Sequence, residues 1–397
     1  MSPNKTVLIG VCGGIAAYKV CELIGRLRGV GVNTICIMTD SAKEFITPLT
    51  LGTLTQNNVY SDMFAPPAQY EVEHISLAKQ ADAIVIAPAT ANIIGKLASG
   101  IADDMLTTTV MASRAPTLIA PAMNTVMYQN PIVQRNINLL KDLDYQFVPP
   151  KSGRLACGDI GEGALAEVDV IFSEIIKILT EKKDLAGRKV VVTAGPTREA
   201  IDTVRFITNH SSGKMGYSVA RAAYNRGADV VLISGRTALE PVCGVHTVYV
   251  DSALDMQKAV TENVPGADII VKSAAVGDVR PATAFEGKLK KDKLQNIELI
   301  KNPDILAELG KNKGNSVLVG FAMETGDIAE NALLKMKQKN VDIMVANDLN
   351  TEGAGFGGDT NVVSIFEKDG SATKYDIMSK DVLADIILDK AAEMMKN

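Results

Sequence analysis

The chain has 397 residues, with 41 Lys and Arg against 46 Asp and Glu for a net charge of −5, and 47% of its residues are hydrophobic. That length holds two or three domains with sizeable cores; the acidic balance argues against non-specific nucleic-acid binding, and no apolar run is long enough to span a bilayer. Five scattered cysteines, Cys12, Cys21, Cys36, Cys157 and Cys243, form no CxxC pair or metal-ligand spacing, and the three histidines, His74, His210 and His246, exclude a histidine-rich metal site.

Met1 to Lys5 leads into a strand with no apolar signal core, so no export is expected, and the cysteine usage points to a reducing cytoplasm. Thr6 to Val11 is a continuous apolar run, the mark of a strand covered on both faces in a parallel sheet. Cys12-Gly13-Gly14 follows, then a helix expected to bury Ile15, Val20, Leu23, Ile24 and Leu27 on one side, and then a strand over Val32 to Met38. This is a βαβ unit, with its ligand crevice expected at the carboxyl ends of the strands. Gly13 and Gly14 suit either a mere tight turn or an anion cradle at a helix start; the spacing is not G-x-G-x-x-G.

His74, in Glu71-Val72-Glu73-His74-Ile75, reads by itself as a surface histidine beside two carboxylates. The strand Ala83 to Ala87 delivers Pro88-Ala89-Thr90-Ala91-Asn92, and the strand Thr117 to Ala120 delivers Pro121-Ala122-Met123-Asn124. Two Ala-Pro-Ala endings aim two polar loops at one crevice, although Asn124 also suits the cap of the following helix. Gly153 to Gly163 is so rich in glycine that it reads as a flexible flap carrying Cys157. Ile171 to Leu179 is an amphipathic helix, and the charged stretch 181–187, ending in Gly187, is the best boundary in the chain.

The second half starts as the first did. Val190 to Thr193 is a strand and Ala194-Gly195-Pro196-Thr197 a turn, followed by a polar loop and a helix from about Met215. Arg205, Asn209, Ser211, Ser212, Gly213 and Lys214 supply donors suited to phosphate and carboxylate oxygens, but the segment lacks the earlier glycine and the Lys-[Ser/Thr] ending of a P-loop. Further strands over 229–234, 269–272 and 343–348 carry polar tips, and Val319 to Thr325 is expected to start a helix. Between them lie Ser273-Ala274-Ala275-Val276-Gly277-Asp278, the lysines Lys288, Lys290 and Lys291, and Asn302-Pro303-Asp304-Ile305. A helix after Phe321 places Lys335 and Lys339 on one face. The pattern predicts an α/β chain of two Rossmann-like three-layer modules with mainly parallel sheets: residues 1–180, a linker 181–187, and residues 188–397.

Gly13 to Lys19, Met38-Thr39 with Thr47 to Thr50, the Pro88 to Asn92 loop and Pro121 to Asn124 together resemble the flavin-containing cysteine decarboxylases. More specifically, they resemble the decarboxylase half of the bifunctional phosphopantothenoylcysteine decarboxylase/phosphopantothenate–cysteine ligases of coenzyme A synthesis. Thr193 to Glu199 and Asp202 to Gly216, with VRFITNHSSGKMG, resemble the ligase half, so the likeness spans nearly the whole chain.

The resemblance implies FMN held by Gly13, Gly14, Ile15, Thr39, Pro88, Ala89, Thr90, Asn92 and Met123, with His74, Asn124 and Cys157 catalytic. For the ligase it implies Asn209 and Lys288 as catalytic, and Arg205, Asn209, Ser211, Ser212, Gly213 and Lys214 toward substrate. Nucleotide would be held by Ser273, Ala274, Ala275, Asp278, Lys288, Asn302, Pro303, Asp304, Ile305, Phe321, Lys335 and Lys339, with Asp278 on Mg2+ or Mn2+. The implied substrates are 4′-phosphopantothenate, cysteine and CTP, with trimers through the flavin half and dimers through the ligase half. Three places depart from the family pattern: Cys12 replaces a hydroxyl residue, Ala164 an arginine, and Gly277-Asp278-Val279 the more usual Ala-Asp-aromatic, which keeps Asp278 and loses a ring that could stack or line the pocket. The competing readings are a nicotinamide oxidoreductase, disfavoured by the absence of G-x-G-x-x-G in either half, and a flavin-binding regulatory or interaction protein that keeps the fold without the chemistry.

Overall fold

Residues 5–64, 72–154, 158, 160–289, 296–324, 328–348 and 358–395 are described by the computed structural model. The chain divides into two compact units, Met1–Glu181 and Lys182–Asn397.

The first unit opens with β1 (Thr6–Val11), a 3-10 turn (Ile15–Lys19) and α1 (Val20–Gly29), then β2 (Asn33–Met38), α2 (Pro48–Thr55) and β3 (Val59–Tyr60). After α3 (Glu73–Gln80) come β4 (Ala83–Ala89), α4 (Ala91–Ala98), α5 (Met105–Ala112), β5 (Thr117–Pro121), α6 (Thr125–Gln129), α7 (Pro131–Asp142) and β6 (Gln146–Phe147). The hairpin β7 (Lys151–Arg154) and β8 (Ile160–Ala164) leads to α8 (Val168–Leu179). Six parallel strands pair in the order β3-β2-β1-β4-β5-β6. Strand order therefore reverses between β1 and β4, the place where such sheets open a ligand crevice at their carboxyl ends.

Alternation along the strands builds two core layers. Val7, Ile9 and Val11 pack with Leu23, Ile24, Leu27, Ile171 and Ile175, while Leu8, Ile84 and Ile86 pack with Ile93, Ile94, Leu97 and Leu106. Ile15 departs from its expected place: it is 60% exposed, because it sits in the 3-10 turn ahead of α1 and out of that helix's register.

The second unit begins with β9 (Lys189–Ala194), the short pair β10 (Arg198–Ala200) and β11 (Phe206–Thr208), then α9 (Lys214–Asn225), β12 (Asp229–Ser234), β13 (His246–Tyr249) and α10 (Ala253–Asn263). β14 (Ile269–Lys272), the pair β15 (Val279–Pro281) and β16 (Leu299–Lys301), α11 (Ile305–Asn312), β17 (Val317–Glu324), α12 (Ile328–Lys339) and β18 (Ile343–Asp348) follow. β19 (Thr360–Glu367), β20 (Ala372–Ser379) and α13 (Lys380–Met394) end it.

Its eight-stranded sheet runs β13-β12-β9-β14-β17-β18-β19-β20. The strands from β13 to β18 are parallel, and β19 and β20 join antiparallel. Order reverses between β9 and β14, repeating the plan of the first unit. Val190, Val192, Val219, Leu383 and Ile387 form one core layer, and Val191, Ile270, Leu318, Met256 and Val260 the other.

Candidate active sites

In the first unit the loops after β1, β2, β4 and β5 interlock. A Cβ on Gly13 would overlap Ser41, lying 2.9 Å from its carbonyl oxygen, so only glycine lets these two loops touch. At Gly14 a Cβ would meet only Pro88 Cγ, at 4.0 Å, which leaves open space at the tip of β1 beside β4. Ala122 N–H donates to Ala89 carbonyl at 2.9 Å and ties the two Ala-Pro-Ala endings together. Thr90 Oγ1 accepts from Ile93 N–H at 3.4 Å and caps α4, and Asn92 is exposed on its first turn.

Thr39 N–H donates to Val11 carbonyl at 3.0 Å, while its buried Oγ1 has no hydrogen-bond partner among the described residues. A buried hydroxyl in that state can take up a polar ligand atom, although Thr34, Thr125 and Thr247 share it. Cys12 serves a different purpose: it is 1% exposed, packs with Ile86 and Ile93, and burial pushes its thiol up to about 12. It stays protonated and apolar in behaviour.

Asn124 Oδ1 accepts from Val126 N–H at 2.8 Å, so this side chain caps α6. His74 is half-buried on the first turn of α3. Cys157 lies outside the described residues. The flap reading covers Gly153 to Gly163, of which residues 155–157 and 159 lie outside the described residues, and a Cβ on Gly153 or Gly158 would meet nothing within 4 Å. Gly161 and Gly163 are close-approach glycines: a Cβ on Gly161 would lie 2.5 Å from Thr125 Oγ1, and one on Gly163 would overlap the Met123 carbonyl and sit 3.3 Å from Thr125 N. Met123 N–H donates to Gly163 carbonyl at 2.9 Å. These two glycines let β8 dock tightly on the Met123–Asn124 loop. Ala164 pairs with Lys151 across that hairpin.

In the second unit the tips of β9, β12 and β14 are knotted by glycines. A Cβ on Gly195 would lie 2.8 Å from Thr237 Cγ2, one on Gly216 2.5 Å from Ala194 Cβ, and one on Gly235 would overlap Pro196 carbonyl. Ala275 N–H donates to Gly195 carbonyl at 2.9 Å, Gly277 N–H to Thr197 Oγ1 at 2.9 Å, and Ser273 Oγ to Thr193 carbonyl at 2.6 Å. Asn209 Nδ2 donates to Val276 carbonyl at 3.2 Å, and Asn302 Nδ2 to Gly277 carbonyl at 2.8 Å. Asn209, the Ser273–Asp278 loop and Asn302 are thus brought together. Asp278 itself is exposed, and its carbonyl accepts from Asn302 N–H at 2.9 Å.

Asp304 caps α11 through Ala307 N–H at 3.0 Å and pairs with Lys339 at 2.9 Å, which holds its carboxyl below the usual range against the cost of burial. Lys335 is half-buried on the same helix as Lys339, and Phe321 half-buried in β17. Ile305 is 3% exposed in the core, so any nucleotide contact there falls to its backbone and that of Pro303 before it. Lys214 Nζ engages Asp359 at 2.6 Å, so the start of β19 takes up a cation expected to face substrate. Ser211 Oγ accepts from Gly213 N–H at 3.3 Å, shaping the turn at the start of α9, with Ser212 half-buried between them.

Lys288 is exposed, Arg205 is half-buried, and Lys290 and Lys291 lie outside the described residues. Among the described residues no group of three or more His, Cys, Asp or Glu stands ready to hold a metal ion. Two groups escape the sequence reading. Asp202 binds the Arg205 turn, a role foreshadowed by its Asx-turn spacing to Val204. Lys272 donates to Ala274 carbonyl at 3.0 Å, and burial, helped by Lys339, pushes its ammonium down to about 8. In sequence Lys272 is only the polar end of an apolar run.

Comparison with known proteins bears on both units. A family model described as "Flavoprotein" matches residues 1–180, and one described as "DNA/pantothenate metabolism flavoprotein C-terminal domain" matches residues 185–395. The chain is 50% identical over 397 residues to the coenzyme A biosynthesis bifunctional protein CoaBC of Bacillus subtilis (strain 168), covering 99% of this chain and 98% of that one. It is 40% identical over 392 residues to the same-named protein of Escherichia coli (strain K12), covering 98% and 96%. A crystal structure of the C-terminal domain of a coenzyme A biosynthesis bifunctional protein CoaBC matches 54% of this chain and 99% of its own, at 41% identity and a TM-score of 0.48.

Proposed function

The chain belongs to the family of the coenzyme A biosynthesis bifunctional protein CoaBC, and we propose that it runs two successive reactions, one in each unit. Residues 188–397 join 4′-phosphopantothenate to cysteine at the expense of a nucleoside triphosphate, CTP in preference to ATP. Residues 1–180 decarboxylate the product to 4′-phosphopantetheine. The observation that carries this reading is the 50% identity to the Bacillus relative, which extends over 397 residues and so spans both units.

A carboxylate is a poor electrophile, so ligation needs activation. A carboxylate oxygen of 4′-phosphopantothenate attacks the nucleotide α-phosphorus, and pyrophosphate leaves as the acyl-nucleotide forms. The cysteine amine then attacks the acyl carbon, loses a proton, and expels the nucleoside monophosphate. Lys288 and Arg205 stabilise the crowded phosphates and the developing oxyanion, and Asn209 recognises the acyl-nucleotide. Asp278 would hold Mg2+ together with the triphosphate oxygens, since no group of three or more His, Cys, Asp or Glu among the described residues forms a built cage. Lys335 and the Asp304-held Lys339 lie toward the base.

FMN fits the first unit, where the orphaned Thr39 hydroxyl, the open face of Gly14 and the small residues Ala89 and Thr90 stand at the carboxyl ends of the neighbouring strands β2, β1 and β4. Bound there, it supplies the electron sink without which a cysteine-derived carboxylate does not lose CO2. His74 takes the substrate thiol proton, Asn124 orients the carboxylate from a side chain fixed by its cap, and Cys157 returns a proton to the enethiol carbon. Among the described residues no helix is long and apolar enough to cross a membrane. We place the enzyme in the cytoplasm, as a homo-oligomer of trimeric flavin halves and dimeric ligase halves.

The test is a coupled assay on the purified chain with 4′-phosphopantothenate, cysteine, Mg2+ and CTP or ATP, following pyrophosphate and CO2 separately. The expected outcome is yellow protein that releases FMN on denaturation, pyrophosphate with CTP, and CO2 only after ligation. A colourless chain that cannot be reconstituted, or one that releases no pyrophosphate with either nucleotide, overturns the corresponding half.

A further inference from the structure

One buried carboxylate joins the two cations that the ligation site depends on. Asp202 is 5% exposed, and its side chain contacts two loops far apart in sequence. On the near side it accepts from Val204 N–H at 2.8 Å and Arg205 N–H at 2.7 Å, and Arg205 Nη1 stands 3.4 Å away. On the far side, 87 residues along, Leu289 N–H donates to Asp202 Oδ2 at 3.1 Å.

Leu289 directly follows Lys288, and its side chain is 9% exposed while the residues from 282 to 288 are all exposed. The loop carrying Lys288 is therefore exposed up to the lysine and anchored immediately after it. A second tie, from Phe285 N–H to Ile201 carbonyl at 3.1 Å, fixes the same loop to the same turn. Between them, these bonds set where the Lys288 backbone stands relative to Arg205.

We propose that Asp202 is a positioning residue of the ligation site: its buried carboxylate clamps the Arg205 turn to the Lys288 loop, so that both cations face the same acyl-nucleotide. The inference rests on the ligase reading given above. A buried carboxylate that accepts three backbone N–H groups, with Arg205 Nη1 as a fourth donor, has its acceptor sites occupied, and what it contributes is geometry. Two cations on separate exposed loops gain catalytic power only when their spacing is set before substrate arrives. Misplacement by an ångström costs on the order of 100-fold in rate.

The experiment is a double-mutant cycle in the full chain, with Asp202→Asn, Lys288→Gln and the pair, read as CTP-dependent pyrophosphate release. Asp202→Asn alone is expected to lower kcat on the order of 10- to 100-fold with KM for CTP little changed. In the Lys288→Gln background the same change adds less than about twofold, because the residue acts through the lysine. Leu289→Ala, which loosens the loop while keeping the carboxylate, lowers kcat in the same direction and guards against an Asp202 variant that fails to fold. FMN content and decarboxylation of supplied phosphopantothenoylcysteine stay unchanged throughout. Equal losses in the two backgrounds, or unchanged turnover in Asp202→Asn, overturn the proposal while leaving the ligase assignment intact. Absence of pyrophosphate release from the unaltered chain overturns the ligase assignment instead.

Discussion

Lys272 and Gly277 end and follow the same strand, and each yields a measurable expectation. Burial and Lys339 push the Lys272 ammonium down to about 8 from its ordinary 10.5. Between those values the unfolded chain holds one proton more than the folded chain, so stability rises with pH across that window, and below it the cost of the buried charge is fully present. Urea unfolding of the unaltered chain and of Lys272→Met at pH 7.5 and pH 10 should show the unaltered chain gaining on the variant at the higher pH. A difference that does not move with pH would refute the burial argument. Gly277 occupies a position where an added Cβ lies 3.4 Å from Glu199 Cγ, an ordinary contact, and its backbone is not in the left-handed region. Gly277→Ala is therefore expected to fold, to gain about 0.4 to 1 kcal/mol through a less flexible unfolded chain, and to keep its ligase activity. A fall in melting temperature would show that the departure from the family's alanine is structural.

Elements were legible where one physical signal dominates. The β-branched runs Val190–Thr193, Asp229–Ser234 and Ile269–Lys272 emerge as β9, β12 and β14, because strands buried on both faces need continuous apolar side chains. The C-terminal end was not read, although Leu383, Ile387, Leu388 and Ala391 of α13 recur at helical spacing and are all buried. Glycine density is ambiguous for a different reason: it signals either freedom, as at Gly153 and Gly158, or close approach, as at Gly161 and Gly163, and only the neighbours decide between them. Tested on the hairpin, Gly163→Ala forces a clash with the Met123 carbonyl at φ 152° and should cost about 1 to 3 kcal/mol locally. Decarboxylation falls while FMN stays bound; unchanged turnover would mean that the docking of β8 does not matter to catalysis.

The site residues were legible only as loops that end strands. Which of them touch was not, because Asp202 reaches Leu289, and Asn302 reaches Gly277, through bonds that no local pattern encodes. Arg226 is a further case. It is 1% exposed and holds Asp184 through two bonds, at 2.9 and 2.6 Å, and Asp389 at 2.7 Å. It thereby pins the expected linker and α13 to the ligase unit from a position that sequence marks only as a helix end. Arg226→Met removes the buried guanidinium shared by both carboxylates and should cost about 2 to 4 kcal/mol, the lower part of the usual range because Lys182 also pairs with both and both keep some contact with water. Thermal unfolding monitored on the ligase unit checks this.

At the scale of the whole molecule, each unit carries its own sheet, its own pair of core layers and its own crevice, with core residues drawn from 7–179 in one and 185–392 in the other. Two reactions that share an intermediate are thus separable by substitution within one chain. Lys288 is exposed on a loop of the second unit, so Lys288→Gln removes a cation without opening a core. CTP-dependent pyrophosphate release should fall on the order of 100- to 1,000-fold, the usual effect of losing one preorganised charge at a developing oxyanion. CO2 release from supplied phosphopantothenoylcysteine should stay within about twofold, as expected of independent sites with no shared residues. Both are measured on one preparation, with FMN content as the reference for intact protein. If both activities fall together while FMN content holds, the units are coupled in catalysis and the separation argued from their cores is wrong; if pyrophosphate release survives, Lys288 has no part in activating the carboxylate.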